Sequence, residues 1–315
     1  MGDRNEKKNY LEWIGMKVTR HTPEQMALEW LLKNELPGGG IRVHSNHSSA
    51  YQEVSGYIVP TLLNWGESGL ACRIAEWLIS VQTPYGAYSD PDRNQAFVFD
   101  TAQVLRGLLA TCSLVPGTEK AARRAADWLC SEMIDNGDKG FGPRYNGALA
   151  ESMHLYCLPP LVAAAELLNE PRYRDRALRC RDYYCSQSDF CSLSSLTHFL
   201  AYELEALIDL GRADLAVPTL DTLKRKQRRD GSVSAKEGVK WVCLPGLAQI
   251  AICWYKIGDK ESAAAAVEWL SRHQRPSGGF LGSEGTGATY FADVELSWAA
   301  KYFLDAVNLG KVVPN

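Results

Sequence analysis

One cadence returns six times along this chain: an amphipathic helix, a turn built on Gly or Pro, and a second helix apolar on more than one face. The copy over residues 71–104 shows it plainly. A helix carrying Trp77 and Leu78 ends near Gln82, the chain turns through Gly86-Ala87-Tyr88, and a more apolar helix begins near Asp100. In the first copy the start signal Thr22-Pro23-Glu24 opens a helix that runs to Gly38-Gly39-Gly40. Its partner lies within residues 48–65 and is interrupted by Pro60, which predicts an irregular or kinked start. The third copy pairs 121–129 with a helix from near Glu151 to Leu168. The fourth pairs the Tyr173 to Tyr184 stretch with 198–210, the fifth 213–227 with 241–257, and the sixth 263–274 with 293–309.

A single hairpin of this kind cannot bury its apolar face, so neighbours must stack, either in an open superhelix or in a closed double ring. The first helices carry charges such as Arg73, Glu76, Arg123, Arg124, Asp127, Glu261 and Glu268, as outer helices facing water do. The second helices, such as 158–168 and 243–253, have no polar face to offer water. The expectation is an all-α fold, an (α/α)6 toroid of six inner and six outer helices, over residues 21–315 as one domain. Residues 1–20 read as a lead-in helix packed on it through Tyr10, Leu11, Trp13 and Ile14.

A net charge of -3 leaves no basic footprint, so nucleic acid is not the expected partner. No apolar run approaches the ~18 residues of a membrane span. The first eight residues are charged and lack a signal-peptide core, and the nine cysteines are scattered over helix-like apolar positions such as Cys72, Cys112, Cys130 and Cys253. That pattern reads as reduced thiols in a cytoplasmic protein.

Gln227-Arg-Arg-Asp-Gly231-Ser-Val233 and Gln274-Arg-Pro-Ser-Gly278-Gly-Phe280, with 82–88 as a looser third copy, resemble the Gln-x-x-x-Gly repeats of the squalene-cyclase and protein-prenyltransferase toroids. The resemblance implies the fold: Gln caps a helix end and Gly turns the chain. It does not carry the chemistry. Asp100-Thr101-Ala102 is similar to the tail of the acidic motif with which class II terpene cyclases protonate an alkene, but Phe97 and Phe99 stand where its other two Asp would be. Asp189 and Cys191 with His198 or His273 are similar to the zinc ligands of protein prenyltransferases without the surrounding pattern, so no metal or cofactor is expected. In texture, Tyr51-Gln-Glu-Val-Ser-Gly-Tyr57, Trp77 to Gln82 and Phe99 to Val104 resemble proteins of bacterial exopolysaccharide and O-antigen biosynthesis. This implies a saccharide substrate and association with a polysaccharide assembly machinery. Uronate C5-epimerases, polysaccharide lyases and many glycosidases share the toroid more distantly.

In a closed ring the inner helices begin at the rim of one funnel, so polar groups at their starts converge. Aligning the small residues Gly56, Ala102, Cys157 and Ala201 puts Glu53, Phe99, His154 and His198 at one level, with Tyr57, Gln103, Leu158 and Tyr202 a step deeper. Asp100 falls beside the first layer, and Trp241 and Glu295 open the last two inner helices. The catalytic candidates are therefore Glu53, Asp100, His154, His198 and Tyr57. The substrate-binding candidates are Tyr51, Tyr88, Gln103, Arg144, Tyr145, Tyr202, Trp241 and Glu295.

Each has a plain structural alternative: Glu53 as a rim carboxylate at a helix start, Asp100 as an N-cap, the histidines and tyrosines as packing, Arg144 as a solvated loop residue. On a uronic acid, Glu53 or a His would take the C5 proton, a Tyr would be the opposing acid, and Arg144 would grip the carboxylate. On a neutral glycoside, Glu53 and Asp100 would form an acid and base pair. A terpenoid-type enzyme or prenyl-lipid binder lined by Trp65, Phe97, Phe99, Trp241 and Trp298 is a second expectation, and a non-catalytic scaffold a third.

Overall fold

Helix start signals in the sequence are used where they occur. Thr22 closes a capping box with Gln25, the Gln25 amide oxygen accepting from Thr22 N at 2.9 Å, and Pro23 takes the first helical position. In the computed structural model, described at residues 21–90, 95–141, 151–187 and 190–312, twelve α-helices follow as six hairpins. These are α1 Pro23–Leu32 with α2 Gln52–Asn64, α3 Ser68–Val81 with α4 Val98–Ala110, and α5 Thr118–Ser131 with α6 Leu158–Leu167. The second half of the chain adds α7 Pro171–Cys185 with α8 Thr197–Asp209, α9 Ala213–Lys226 with α10 Leu244–Lys256, and α11 Lys260–Arg272 with α12 Ser297–Val312.

The even-numbered helices form the inner ring. Helix α2 packs on α4, α4 on α6, α8 on α10, α10 on α12, and α12 back on α2; a 3-10 segment, Glu151–Cys157, fills the gap between α4 and α8. This closure makes the fold a toroid rather than a superhelix. Hydrogen bonds fasten its seam. Gln274 Nε2 donates to Pro23 O at 2.8 Å, Thr61 Oγ1 to Asp305 Oδ1 at 2.8 Å, and Ser45 N to Glu295 O at 2.9 Å.

The three Gln-x-x-x-Gly turns solve the same problem in the same way. Gln82, Gln227 and Gln274 each donate Nε2 to their own Gly carbonyl (Gly86, Gly231, Gly278) and to a carbonyl at the next outer helix (Ala121, Ser262, Pro23), all at 2.8–2.9 Å. The Gly then lies against that helix one turn on, where a Cβ would come within 2.5 Å of Arg124 O, 2.1 Å of Ala265 O or 2.2 Å of Met26 O. One side chain thus ties a helix end to its neighbour. Replacing Gln227 by Ala leaves two carbonyls short of a donor, and we expect a loss of about 1–3 kcal/mol, read as a lower urea midpoint with an unchanged slope.

Pro60 neither delays nor breaks its helix. Helix α2 runs through it, because the donor it lacks would have served Gly56 O, and that carbonyl faces the α2–α4 crossing instead. At the crossing, a Cβ on Gly107 would lie 2.5 Å from Gly56 O, and one on Gly56 2.5 Å from Val104 Cα. Glycines on both helices let these backbones touch, which brings the starts of α2 and α4, and so Glu53 and Phe99, to one wall.

Several boundaries differ from the sequence expectation. Pro159 and Pro160 turn the stretch before α6 into the 3-10 segment Glu151–Cys157. Helices α10 and α12 begin at Leu244 and Ser297, later than their apolar patterns, because the residues before them pair as short β-segments. The described residues do contain strands: β1 Ser89–Asp90 pairs with β2 Gln95–Ala96, and β3 Val242–Cys243 with β4 Ser283–Glu284, both antiparallel. The lead-in helix over 1–20 lies outside the described residues. No described helix is long and apolar enough to cross a membrane, and all nine cysteines are free thiols.

Candidate active site

The N-terminal ends of four inner helices and the 3-10 segment surround a cavity of about 360 Å³. Glu53, Val54 and Tyr57 come from α2, Phe99 from α4, Met153 from the 3-10 segment, His198, Phe199 and Tyr202 from α8, and Trp298 from α12. Val43, Tyr51, Tyr290 and Phe291 complete the wall from loops at the same end. Eight of the thirteen lining residues are Phe, Tyr or Trp, and Glu53 is the one carboxylate among them. Below the cavity the axis is filled. Tyr156 stacks on Tyr202 with ring centroids 4.5 Å apart, and Arg106 lies over Tyr156 while donating to Gln103 Oε1 at 2.9 Å. Lys256 pairs with Glu205 and Asp209, and Lys301 with Asp305. The result is a blind funnel, open at one rim.

Among the described residues no cation stands beside Glu53 in its wall. Burial, and secondly the nearby Asp90 carboxylate, push its carboxyl up to about 8, so it carries its proton at neutral pH. The Tyr57 phenol is driven well above its ordinary range by burial and then by Glu53. Asp90 is buried on β1, near enough for its charge to be felt at Glu53.

His198 is also buried, and both of its ring nitrogens are engaged. Nδ1 lies 2.5 Å from Gln249 Oε1 and Nε2 lies 3.0 Å from Tyr202 Oη. Burial pushes its pKa down to about 3, so the ring is neutral. It is not a base poised near neutrality, and neither nitrogen is left for a metal. Asp189, the first member of the zinc-like grouping, lies outside the described residues, and Cys191 gives its N–H to Glu203 at 2.6 Å.

Of the residues chosen from sequence, the cavity gathers Glu53, Tyr57, His198, Tyr51 and Tyr202. It does not gather the others. Asp100 is fully buried behind Phe99; helix α4 starts at Val98 with Phe97 at its cap, so Asp100 is neither N-cap nor lining residue. His154 sits between Phe141 and Tyr184, while its neighbour Met153 faces the cavity. Gln103 faces Arg106 below the floor. Tyr88 is enclosed, its backbone N–H held by Thr101 Oγ1 at 3.0 Å. Trp241 packs with Ala235 and Cys243 in a separate cluster, and Glu295 binds Trp30 Nε1 at 2.6 Å and Ser277 Oγ at 2.7 Å. Both miss the cavity because their helices begin later than the sequence suggested. Arg144 and Tyr145 lie outside the described residues.

Sequence reasoning missed Asp90, Gln249, Phe199, Tyr290 and Phe291. Three of these carried a signal. Gln249 is the one amide in the apolar run of α10, and Tyr290-Phe291 is an aromatic pair in a loop otherwise rich in Gly, Ala and Thr.

No protein-family model matches the chain, and no curated protein matches it. Solved structures do. An unsaturated glucuronyl hydrolase specific for heparin aligns with a TM-score of 0.70 at 13% identity, over 91% of this chain and 95% of that one. A glycosidase in complex with glucose aligns with a TM-score of 0.68 at 13% identity, over 93% and 98%. A novel alpha-amylase from Clostridium perfringens gives 0.67 at 14%, over 94% and 100%. At such identities the likeness is one of fold: the all-α, six-hairpin toroid of these proteins.

Proposed function

We infer that this protein is a carbohydrate-active enzyme that cleaves a glycosidic bond in the aromatic funnel, with Glu53 as general acid. The observation that carries the reading is Glu53 itself, the one acidic side chain among the lining residues of an aromatic-walled cavity and kept protonated at neutral pH. Aromatic faces stack on the apolar faces of sugar rings, and a proton held in reserve is what a leaving glycosidic oxygen requires. Asp90, rather than Asp100, is the partner carboxylate in this reading, since it is the one whose charge is felt at Glu53. The solved neighbours of the same fold include proteins named as glycosidases, a glucuronyl hydrolase and an amylase, which supports a saccharide substrate. Free thiols and the exopolysaccharide-like texture of the sequence favour a place in cytoplasmic polysaccharide assembly.

The terpenoid reading draws on the same aromatic wall and fails on two counts. A carboxyl with a pKa near 8 is far too weak an acid to protonate an alkene, whereas it suits a glycosidic oxygen. Among the described lining residues there is also no Lys or Arg to grip a diphosphate.

The test is a panel of neutral and uronic oligosaccharides, with isoprenyl diphosphates as the competing class, assayed across pH. A general acid must be protonated, so kcat is expected to fall as pH rises through about 8. If Glu53 instead took a uronate C5 proton it would have to be ionised, and activity would rise through the same pH. Turnover of a prenyl substrate alone, or a rate indifferent to pH near 8, would overturn the assignment.

A further inference from the structure

Gln249 is fully buried within an inner helix, amid an apolar run, and its role becomes clear from the histidine beside it. Its Oε1 can only accept, so it fixes the His198 proton on Nδ1 at 2.5 Å. Nε2 is then bare and can only accept in turn, which draws the Tyr202 O–H toward it at 3.0 Å. The chain of donors runs one way, from Tyr202 through His198 to Gln249. With its own proton committed, the Tyr202 oxygen is left with lone pairs alone. Tyr302, behind it, donates to Tyr156 Oη at 3.4 Å, and the Tyr202 lone pairs face the cavity that Tyr202 shares with Glu53.

The surroundings hold the arrangement in place. Phe199, Tyr202, Tyr290 and Tyr302 ring the imidazole with centroids 4.7–5.9 Å away, and Lys301 on α12 disfavours a positive charge there. None of these groups offers His198 a negative partner. The ring is therefore a fixed acceptor rather than a proton carrier.

We propose that Gln249 and His198 are positioning residues that set the hydrogen-bond polarity of Tyr202, so that its oxygen accepts from a free hydroxyl of the bound sugar and discriminates against a methoxy or deoxy carbon there. The selection of substrate rests on the glycan-cleaving reading of the cavity; the polarity of the chain does not. A hydroxyl placed against Tyr202 satisfies a buried acceptor. A methoxy group brings a second acceptor against it, and a deoxy carbon leaves it bare.

The chain is tested on the free protein by nitrogen-15 NMR of the imidazoles, His198 being identified among the six histidines as the signal lost in His198→Gln. The expected spectrum at neutral pH is a neutral ring protonated on Nδ1. A ring protonated on Nε2, or on both nitrogens, would overturn the proposal whatever the substrate proves to be. Gln249→Leu, which offers no acceptor, is expected to give mixed tautomers in a protein that still melts cooperatively. On whichever glycoside of the panel is turned over, wild type should favour the free sugar over its mono-O-methyl or deoxy analogue by about tenfold or more in kcat/KM. Gln249→Leu should shrink that ratio. Equal ratios in the two proteins would sink the selection while leaving the tautomer intact. A panel with no turnover would overturn the reading of the funnel, and the selection with it, with the NMR result unaffected.

Discussion

Glu53→Gln should make the protein nearly inactive and more stable at once. The amide cannot give up a proton, so losing a general acid is expected to cost kcat a factor of about 10²–10⁴. The stability effect has the opposite sign. Burial raises the folded pKa of Glu53 from 4.5 to about 8, so between those values the unfolded chain ionises the group freely while the folded chain must keep it protonated. The folded state therefore binds more protons, and stability falls as pH rises from about 4.5 toward 8. At pH 7 the cost of keeping that proton amounts to about 3 kcal/mol. Gln does not titrate and escapes it. The expected result is a higher melting temperature than wild type at pH 7, with the difference vanishing near pH 4. A variant that is less active and equally less stable at both pH values would show that Glu53 is a packing residue. Such a pattern, in which function is held at the expense of stability, is what a catalytic carboxyl in an apolar wall implies.

Gly278→Ala should open the ring at its seam. Gly278 has φ +99°, a conformation that alone costs an L-residue about 1 kcal/mol, and the added methyl would also lie 2.2 Å from Met26 O. That oxygen belongs to the backbone of α1 and cannot swing aside. Relief requires the first outer helix to move off the last turn, which would disturb the bonds of Gln274 to Pro23 and of Trp30 to Glu295. We expect a loss above about 4 kcal/mol, or a chain whose first hairpin is cut early in limited proteolysis. Gly287→Ala is the control. Its φ is +80° but nothing lies within 4 Å of the added methyl, so only the conformational cost remains, about 1 kcal/mol. Equal losses at the two positions would mean that backbone conformation, not ring closure, makes Gly278 indispensable.

Much of the fold was legible because it repeats. A hairpin that must stack announces itself by periodicity, and a Gln four residues before a Gly does the same local task in three places, so the architecture could be read without knowing which helix met which. The first part of the site was legible for the same reason: Glu53, Tyr57, His198 and Tyr202 open inner helices, and every inner helix opens on one rim. The reading failed where a helix start was misjudged. Trp241 and Glu295 were placed by apolar patterns that continue into short β-paired segments, and Asp100 points away because α4 begins at Val98 rather than at Asp100.

By itself, then, the sequence determined the toroid, its inner and outer rings and the rim on which a site could form, since these follow from local periodicity and from turns whose partners recur at regular spacing. The tertiary structure alone decided the chemistry. A two-residue strand holds Asp90 where its charge is felt at Glu53, α10 brings Gln249 against His198, and a loop before α12 completes the cavity wall with Tyr290 and Phe291. Each of these meetings joins residues far apart in the chain. The pKa that gives Glu53 its proton arises from the water excluded around it and then from the Asp90 charge, a property of the closed ring that no single stretch of sequence contains.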